Sequence, residues 1–201
     1  MKTVVIGIAG GTGAGKTTLA NSLMEAFIGR AVLLSHDAYY KDLSNVPEEG
    51  RANVNFDAPE ALESSLLARH LDDLRGGASV AVPVYDFSSH SRTSETLTVD
   101  PSQVVIAEGI LLLSDPELRD RIDLKVFVDA DADQRILRRI QRDVDERGRT
   151  VASVMEQYLA TVKPMHELHV APSRTHADLV VNGTGDITRA VEVIVAHVNA
   201  H

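Results

Sequence analysis

The strongest constraint on the fold is a glycine-rich loop that directly follows an apolar run near the start of the chain. Residues 10–18 read GGTGAGKTT, so Gly10, Gly15, Lys16 and Thr17 fill the pattern G-x-x-x-x-G-K-[ST] after the run TVVIGIA. In such a loop the backbone N–H groups turn toward phosphate oxygens, the lysine reaches the β and γ phosphates, and the threonine hydroxyl binds Mg²⁺. The helix that follows points the positive end of its dipole at the same phosphates. A strand, a phosphate-binding loop and a helix are therefore predicted in this order.

A loop of this kind predicts that a nucleoside triphosphate binds with Mg²⁺. A glycine-rich turn without a ligand would not need Lys16 and Thr17 together. The predicted nucleotide-binding set is the whole loop with the start of its helix: Gly10, Gly11, Thr12, Gly13, Ala14, Gly15, Lys16, Thr17 and Thr18.

The rest of the chain alternates short apolar runs with helical stretches. The runs cover residues 3–9, 31–35, 104–107, 124–128 and 179–181. They are too uniformly apolar for strands with one solvent-exposed face. This predicts a parallel sheet of about five strands with helices on both faces. The predicted helices span residues 16–28, 59–74 (opened by Asp57), 132–146, 151–169 and 187–200 (capped by Asp186). A chain of 201 residues suits a single α/β domain of the P-loop type, residues 1–201.

One segment departs from this alternation. Val80, Val82 and Val84 alternate with other residues, the polar stretch SSHSRTSE follows, and residues 96–99 are predicted to form a second short strand. We interpret residues 79–99 as a β-hairpin outside the main sheet. Such an insertion near the strand ends is in position to form a wall for a second substrate.

The chain carries a net charge of −9 and no cysteine. The acidic balance argues against nucleic acid or an anionic membrane as a partner, so any anion site must be local. Disulfides, thiolate catalysis and Cys-ligated metals are excluded. The first apolar run is too short for a signal peptide core, and no run approaches the ~20 residues of a membrane span. We expect a cytoplasmic protein.

Two carboxylates follow predicted strands at the edge where parallel sheets bind their ligands. Glu108 follows the run VVIA and is placed to meet a Mg²⁺ held by Thr17, through water. Asp37 follows the run AVLLS and is a candidate general base for an acceptor hydroxyl. Each has a simpler alternative, since Glu108 could be a solvated strand-end residue and Asp37 a turn residue.

Residues 135–149 contain six of the twenty Lys and Arg residues: Arg135, Arg138, Arg139, Arg142, Arg147 and Arg149. In an acidic chain this predicts a focused anion site, a helical lid over about residues 138–155 that closes over phosphates and stabilises transferring charge. The alternative is a solvated helix face, because acidic residues of the same stretch are spaced to pair with the arginines. We expect both roles.

Eight motifs occur in the order and near the spacing of one enzyme family: GIAGGTGAGKTT, HDAYYKD, NFDAPEAL, PVYDFSSHSR, EGILLL, RRIQRDVDERGR, QYLATVKPMHE and ADLVV. Over about residues 3–181 the chain resembles the uridine kinases, also called uridine-cytidine kinases. The resemblance implies transfer of the γ-phosphate of ATP or GTP, with Mg²⁺, to the 5′-hydroxyl of uridine or cytidine. It also implies a homo-oligomer, usually a tetramer.

The resemblance further implies roles for individual residues. Asp37 matches the catalytic base, and Lys16, Arg142 and Arg147 match phosphate-facing positions that assist catalysis. The matching nucleoside-binding positions are Asp57 and Arg139 for the ribose hydroxyls, Tyr85, Phe87 and His90 for the base, and Arg149 and Gln157 for further nucleoside contacts. Aromatic rings and a neutral imidazole suit a pyrimidine, because they supply a stacking surface and a hydrogen-bonding edge.

The chain departs from the family pattern in two places. Many members carry Arg-Gly after the last strand, where this chain has Asn182 and Gly183. Asp186 lies nearby and is a candidate for the adenine side, although a helix N-cap is its simpler role. His36 precedes Asp37 unexpectedly, and we interpret it as an inert loop histidine.

Three other classes of protein share some of these features. A phosphoribulokinase-like or pantothenate kinase-like enzyme would share the loop and lid but lack the PVYDFSSHSR wall. A nucleotide-dependent switch of the GTPase type would need an N-K-x-D base reader, which the sequence lacks. A nucleic-acid kinase would need a basic track for a polymer. We therefore expect a small-molecule nucleoside substrate.

Overall fold

Five parallel strands form the central sheet of the computed structural model, which describes residues 3–51, 54–87 and 89–200. In the sheet the strands lie in the order β2 (Ala31–Ser35), β5 (Val104–Glu108), β1 (Val4–Ala9), β6 (Leu124–Asp129) and β7 (Leu179–Asn182). The strand count, the parallel pairing and the order along the chain confirm the α/β prediction. Because all five strands run the same way, their carboxyl ends meet at one edge.

Helices cover both faces of this sheet, as predicted. They are α1 (Lys16–Ala26), α2 (Glu48–Arg51), α3 (Ser64–Arg75), α4 (Pro116–Arg119), α5 (Ala132–Arg147), α6 (Val151–Gln157), α7 (Lys163–Met165), α8 (Ala171–Ser173) and α9 (Thr188–Asn199). Leu19 and Phe27 of α1 and Ile194 of α9 pack on one face, whereas Leu67 and Leu71 of α3 pack on the other. Within the described ranges, no helix is both long enough and apolar enough to cross a bilayer.

The predicted hairpin is present outside the main sheet. It consists of β3 (Val80–Asp86) paired with β4 (Ser91–Val99) in antiparallel register. The second strand begins at Ser91, so part of the predicted polar connection belongs to the strand. Arg92 attaches the hairpin to the body, because its guanidinium donates to the Tyr40 carbonyl at 2.7 Å and pairs with Glu63 at 2.8 Å.

The prediction of one helix over residues 59–74, opened by Asp57, is wrong. A short 3-10 turn (Pro59–Ala61) comes first, and α3 starts separately at Ser64 after the extended residue Leu62. The Asp57 carboxylate caps no helix. It is buried and accepts a hydrogen bond from the Thr161 hydroxyl at 2.9 Å.

The helix predicted over residues 151–169 is interrupted and extends further. Two π-helical turns (Tyr158–Val162 and His166–Val170) separate α6, α7 and α8, and a 3-10 turn (Arg174–His176) ends the segment. Pro164 and Pro172 lie at the starts of α7 and α8. Proline lacks the N–H that the preceding turn would need, so wider turns accommodate each one without breaking the helical path.

His36 is a core residue and not the loop histidine that we predicted. It is 1% exposed, in the 3-10 turn (His36–Tyr39) after β2. Its Nε2 lies 3.1 Å from the Ser64 Oγ, and a side chain on Gly109 would collide with it, at 2.4 Å from its Cβ. Burial lowers the pKa of His36 to about 4.

Acid should therefore destabilise this protein in a defined pH window. Because burial lowers the pKa of His36 to about 4 from 6.5, the unfolded chain binds more protons between these values, and stability falls as the pH falls from about 6.5 to about 4. The full loss from this one group is roughly 3 kcal/mol. Urea unfolding at a series of pH values should show a smaller loss for His36→Asn than for the wild type. The exposed His176→Asn is the control, and identical pH dependence in all three proteins would contradict the prediction.

Candidate active site

The phosphate-binding loop has the backbone that its glycines predict. Gly10, Gly13 and Gly15 have φ values of 143°, 73° and 102°, all in the left-handed region. A Cβ on Gly13 would lie 2.3 Å from the carbonyl oxygen of Arg135, so α5 packs directly on the loop. Larger side chains would therefore force the loop away from α5 as well as strain its backbone.

Lys16 is buried within this loop at the start of α1. Its Nζ donates to the Gly11 carbonyl at 3.2 Å. Burial lowers the pKa of Lys16, and the nearby charges of Glu108 and Asp37 oppose that effect. A buried ammonium held by one carbonyl is matched to a further anionic partner, which a phosphate would supply.

The carboxyl edge of the sheet brings Glu108 and Asp37 toward the lysine. Glu108 ends β5, is buried, and accepts a hydrogen bond from the Ser35 hydroxyl at 3.0 Å. Burial raises the pKa of Glu108, with Lys16 lowering it and Asp37 raising it further. Asp37 lies in the 3-10 turn after β2. The two carboxylates predicted from separate strands are therefore brought together.

These residues fit a magnesium-bound triphosphate. Thr17 is exposed in the first turn of α1, directly after Lys16, whose charge acts on the buried carboxylate of Glu108. Across the described ranges, no group of three or more His, Asp or Glu side chains could hold a metal ion by itself. Mg²⁺ keeps several waters and shares its coordination with substrate phosphates, so a hydroxyl and one carboxylate are a sufficient protein contribution.

The predicted ribose-binding pair also lies close to the phosphate loop. Arg139 donates to the Thr12 hydroxyl at 3.3 Å and to the Gln157 Oε1 at 2.9 Å. Burial raises the pKa of Asp57, and the Arg139 charge opposes the rise. Thr161 was not anticipated, yet its hydroxyl orients the Asp57 carboxylate. Thr161 lies in the motif QYLATVKPMHE, and its place in that motif could have indicated a role in the site.

The predicted base wall is an aromatic cluster in the structure. Tyr85 and Phe87 contact each other at 5.2 Å between ring centroids, and His90 stacks on Phe56 at 4.9 Å and 19°. Tyr40 contacts Tyr85 at 5.2 Å and Phe56 at 5.5 Å, so it joins the two pairs. Sequence reasoning missed Tyr40 and Phe56, although both lie in motifs that carry the resemblance.

Two residues of this wall, Tyr85 and His90, have polar groups in unusual environments. The Tyr85 hydroxyl is buried and finds no hydrogen-bond partner within the described ranges, and burial raises the pKa of Tyr85 to about 12. His90 has a left-handed φ of 50°, which is uncommon outside glycine. Burial lowers the pKa of His90, and Arg149 and Arg147 lower it further, so the imidazole is neutral at pH 7. Both groups can offer a hydrogen bond to a ligand.

Four of the six arginines in the arginine-rich segment converge on one buried carboxylate, Asp143 of α5. Arg142 pairs with it at 2.8 Å and Arg147 at 3.6 Å. Arg147 also lies over the Phe87 ring, 4.7 Å from its centroid, and Arg149 shares the Gln157 amide oxygen with Arg139. Arg147 thus lies on the acceptor side, and its predicted phosphate role stays a prediction. α5 ends at Arg147, and Gly148 follows with a φ of 61°.

The loop after β7 packs on the phosphate loop where the family pattern has its arginine. Arg138 donates to the Gly183 carbonyl at 2.8 Å, so a guanidinium from α5 lies beside the position where Asn182 replaces arginine. A Cβ on Gly183 would lie 2.0 Å from the Ala14 carbonyl oxygen. The cap residue of α9 is Ile187 and not the predicted Asp186, but the Asp186 carboxylate accepts a hydrogen bond at 2.9 Å from the backbone N–H of Thr188, the first residue of the helix.

Known proteins share this chain's sequence and fold. Residues 5–188 match the model of the Phosphoribulokinase / Uridine kinase family. The chain is 46% identical over 200 residues to a uridine kinase of Staphylococcus epidermidis, which covers 99% of this chain and 97% of that protein. It is 45% identical over 196 residues to a uridine kinase of Bacillus subtilis, covering 97% of this chain and 93% of that protein.

A solved structure shows the same fold at low sequence identity. The phosphoribulokinase from Rhodobacter spheroides superposes with a TM-score of 0.64 at 15% identity, covering 92% of this chain and 73% of that chain. With a matching family model over most of its length and full-length relatives at this identity, the chain belongs to the Phosphoribulokinase / Uridine kinase family.

Proposed function

We propose that this protein transfers the γ-phosphate of ATP to the 5′-hydroxyl of uridine or cytidine, giving UMP or CMP. The observation that carries the proposal is the connection between the phosphate loop and the aromatic wall. Arg139 contacts Thr12 of the loop, and Arg147 contacts Phe87 of the wall. A site with a triphosphate cradle on one side and an aromatic wall on the other suits a nucleoside acceptor. The near-full-length relatives named uridine kinases support this choice.

The transfer needs a group that removes the hydroxyl proton of the acceptor. Asp37 is proposed as that general base, because it lies at the carboxyl edge beside the phosphate loop and its charge acts on Lys16 and Glu108. Its carboxylate takes the proton of the 5′-hydroxyl while the oxygen forms a bond to the γ-phosphorus. The bond from that phosphorus to the β–γ bridging oxygen breaks, and ADP leaves.

The remaining side chains hold the reactants and offset their charge. Lys16 and the predicted lid residue Arg142 supply positive charge to the phosphates, and Asp57 and Arg139 hold the ribose. Thr17 and Glu108 would hold Mg²⁺, which neutralises phosphate charge when it is bound. Closure of the lid would exclude water, so that the acceptor hydroxyl receives the phosphate in place of water.

The proposal has two further features, the oligomeric state and the location of the protein. Family members usually form homotetramers, and we propose a homo-oligomer for this chain. We also propose a cytoplasmic location, since the chain lacks cysteine and the substrates are metabolites.

A panel of acceptors tests the proposed reaction. ADP release with Mg²⁺ and ATP should be fastest with uridine or cytidine, and slow with adenosine, ribulose 5-phosphate and pantothenate. The reason is that the aromatic rings of the wall can stack on a pyrimidine, whereas ribulose 5-phosphate and pantothenate have no ring to stack and the purine of adenosine is larger. Repeating the assay with GTP compares the two donors. Turnover of ribulose 5-phosphate or pantothenate without turnover of either pyrimidine nucleoside would exclude the proposal.

Substitution of the proposed base should separate binding from chemistry. Asp37→Asn should lower kcat by a factor of about 10² or more, the scale of general-base catalysis, and leave the Kd for ATP nearly unchanged. Steady-state kinetics and equilibrium binding measure the two quantities. Glu60→Gln, an exposed carboxylate in the nearby 3-10 turn, is the matched control. A kcat close to that of the wild type would remove Asp37 from this role.

Substitution in the hairpin should affect one substrate only. His90→Ala should raise the KM for uridine about 10-fold or more while the KM for ATP changes less than about twofold, because one hydrogen bond and one stacked ring are lost on the acceptor side. His176→Ala, which removes an exposed imidazole, should change neither value. Equal losses for both substrates would indicate a folding defect instead of a role in nucleoside binding.

A further inference from the structure

Asp143 is the most deeply buried charge among the described residues of the arginine-rich segment. Its carboxylate is 0% exposed, and four guanidinium groups lie within 4 Å. Oδ1 pairs with Arg142 at 2.8 Å and Arg147 at 3.6 Å, and Oδ2 pairs with Arg139 at 3.5 Å and Arg149 at 3.9 Å. We call these five residues the Asp143 cluster.

The arms of the Asp143 cluster reach different parts of the site. Arg139 extends to the Thr12 hydroxyl of the phosphate loop at 3.3 Å. Arg147 extends to the Phe87 ring of the hairpin, at 4.7 Å. Arg149 donates to the Ser153 carbonyl of α6 at 3.0 Å. One carboxylate therefore joins the donor side, the acceptor side and helix α6.

The charges of the Asp143 cluster do not balance. Four guanidinium cations against one carboxylate leave three positive charges. Arg142 already donates twice to Oδ1, at 2.9 and 2.8 Å, whereas Oδ2 has only the longer ion pairs and no hydrogen bond within the described ranges. Asp143 thus fixes where the guanidinium groups converge but accepts hydrogen bonds from Arg142 alone within the described ranges, so other N–H groups of the cluster remain for phosphate oxygens.

We propose that Asp143 is a positioning residue that couples donor binding to nucleoside binding. The proposal rests on the proposed function, because it assigns the two sides of the Asp143 cluster to the two substrates. A donor on the loop side orders Arg142, whose charge acts on Lys16 and Glu108. A nucleoside orders Arg139 and Arg147, and each ordering acts on the same carboxylate. The substrate that binds second therefore meets arginines that are already in place, which is positive coupling.

The coupling can be measured as a ratio of two affinities. Calorimetry gives the Kd for uridine alone and in the presence of Mg²⁺ with the β,γ-imido analogue of ATP. For the wild type we expect uridine to bind about 10-fold more tightly with the analogue present, within the usual range for coupled sites. For Asp143→Asn, which keeps the shape and removes the charge, we expect a ratio below about two. Asp143→Glu, which keeps the charge, should recover part of the ratio.

Asp145→Asn is the matched control, since it removes an exposed carboxylate from the same helix and should keep the wild-type ratio. If the role of Asp143 were purely structural, Asp143→Asn would bind both substrates more weakly and have a lower Tm, but the ratio of affinities would be unchanged. That result would overturn the inference. If Asp143→Asn does not fold, the same ratio of uridine affinities is measured for Arg147→Lys. This variant keeps a positive charge beside Asp143 and loses the planar contact with Phe87. A wild-type ratio in that variant would also overturn the inference.

The outcome also distinguishes this inference from the proposed function. A wild type that phosphorylates uridine with a coupling ratio of one overturns the role of Asp143 and leaves the reaction intact. A wild type that neither binds nor phosphorylates a pyrimidine nucleoside overturns both.

Discussion

A buried ammonium inside the phosphate-binding loop is the constraint on which the rest of this site depends. Lys16 is held by the Gly11 carbonyl within a loop whose glycines adopt left-handed backbone angles. Desolvation disfavours its charge, so the fold must place carboxylates within range, and the ends of β2 and β5 do so with Asp37 and Glu108. The parallel sheet makes this possible, because it delivers the end of each strand to the same edge. The location of the proposed general base thus follows from the same topology that builds the loop.

Local sequence patterns predicted the parts of the fold that depend on local chemistry. Local patterns identified the uniformly apolar strands, the phosphate loop and the alternating valines of the hairpin. Each of these patterns is typical of a single local structure. The site residues were found partly from position at strand ends and partly from family resemblance. The sheet edge indeed brings Asp37 and Glu108 together around Lys16.

Features that depend on distant contacts were not predictable in the same way. Asp57 resembles a helix cap in sequence, but its partner Thr161 is more than one hundred residues away. His36 has the sequence context of a loop, and only the packing of Gly109 and Ser64 shows that it is buried. Among several acidic residues with similar spacing in α5, only the tertiary structure distinguishes Asp143, because burial and not spacing sets it apart. The π-helical turns depend on how the protein accommodates Pro164 and Pro172, which propensity alone does not specify.

The hairpin has a consequence for how enzymes of this architecture can diversify. Among the described residues it shares no strand pairing with the central sheet. Arg92 is a principal polar attachment, which binds the carbonyl oxygens of Tyr40 and Tyr39 and the carboxylate of Glu63. A guanidinium that recognises carbonyl oxygens tolerates replacement of the side chains around it. Substitutions at the rings of β3 and its turn can therefore exchange one acceptor for another while the sheet, the phosphate loop and the triphosphate chemistry stay as they are. Because the hairpin is attached separately, evolution or protein engineering can alter it without changing the sheet and the phosphate loop.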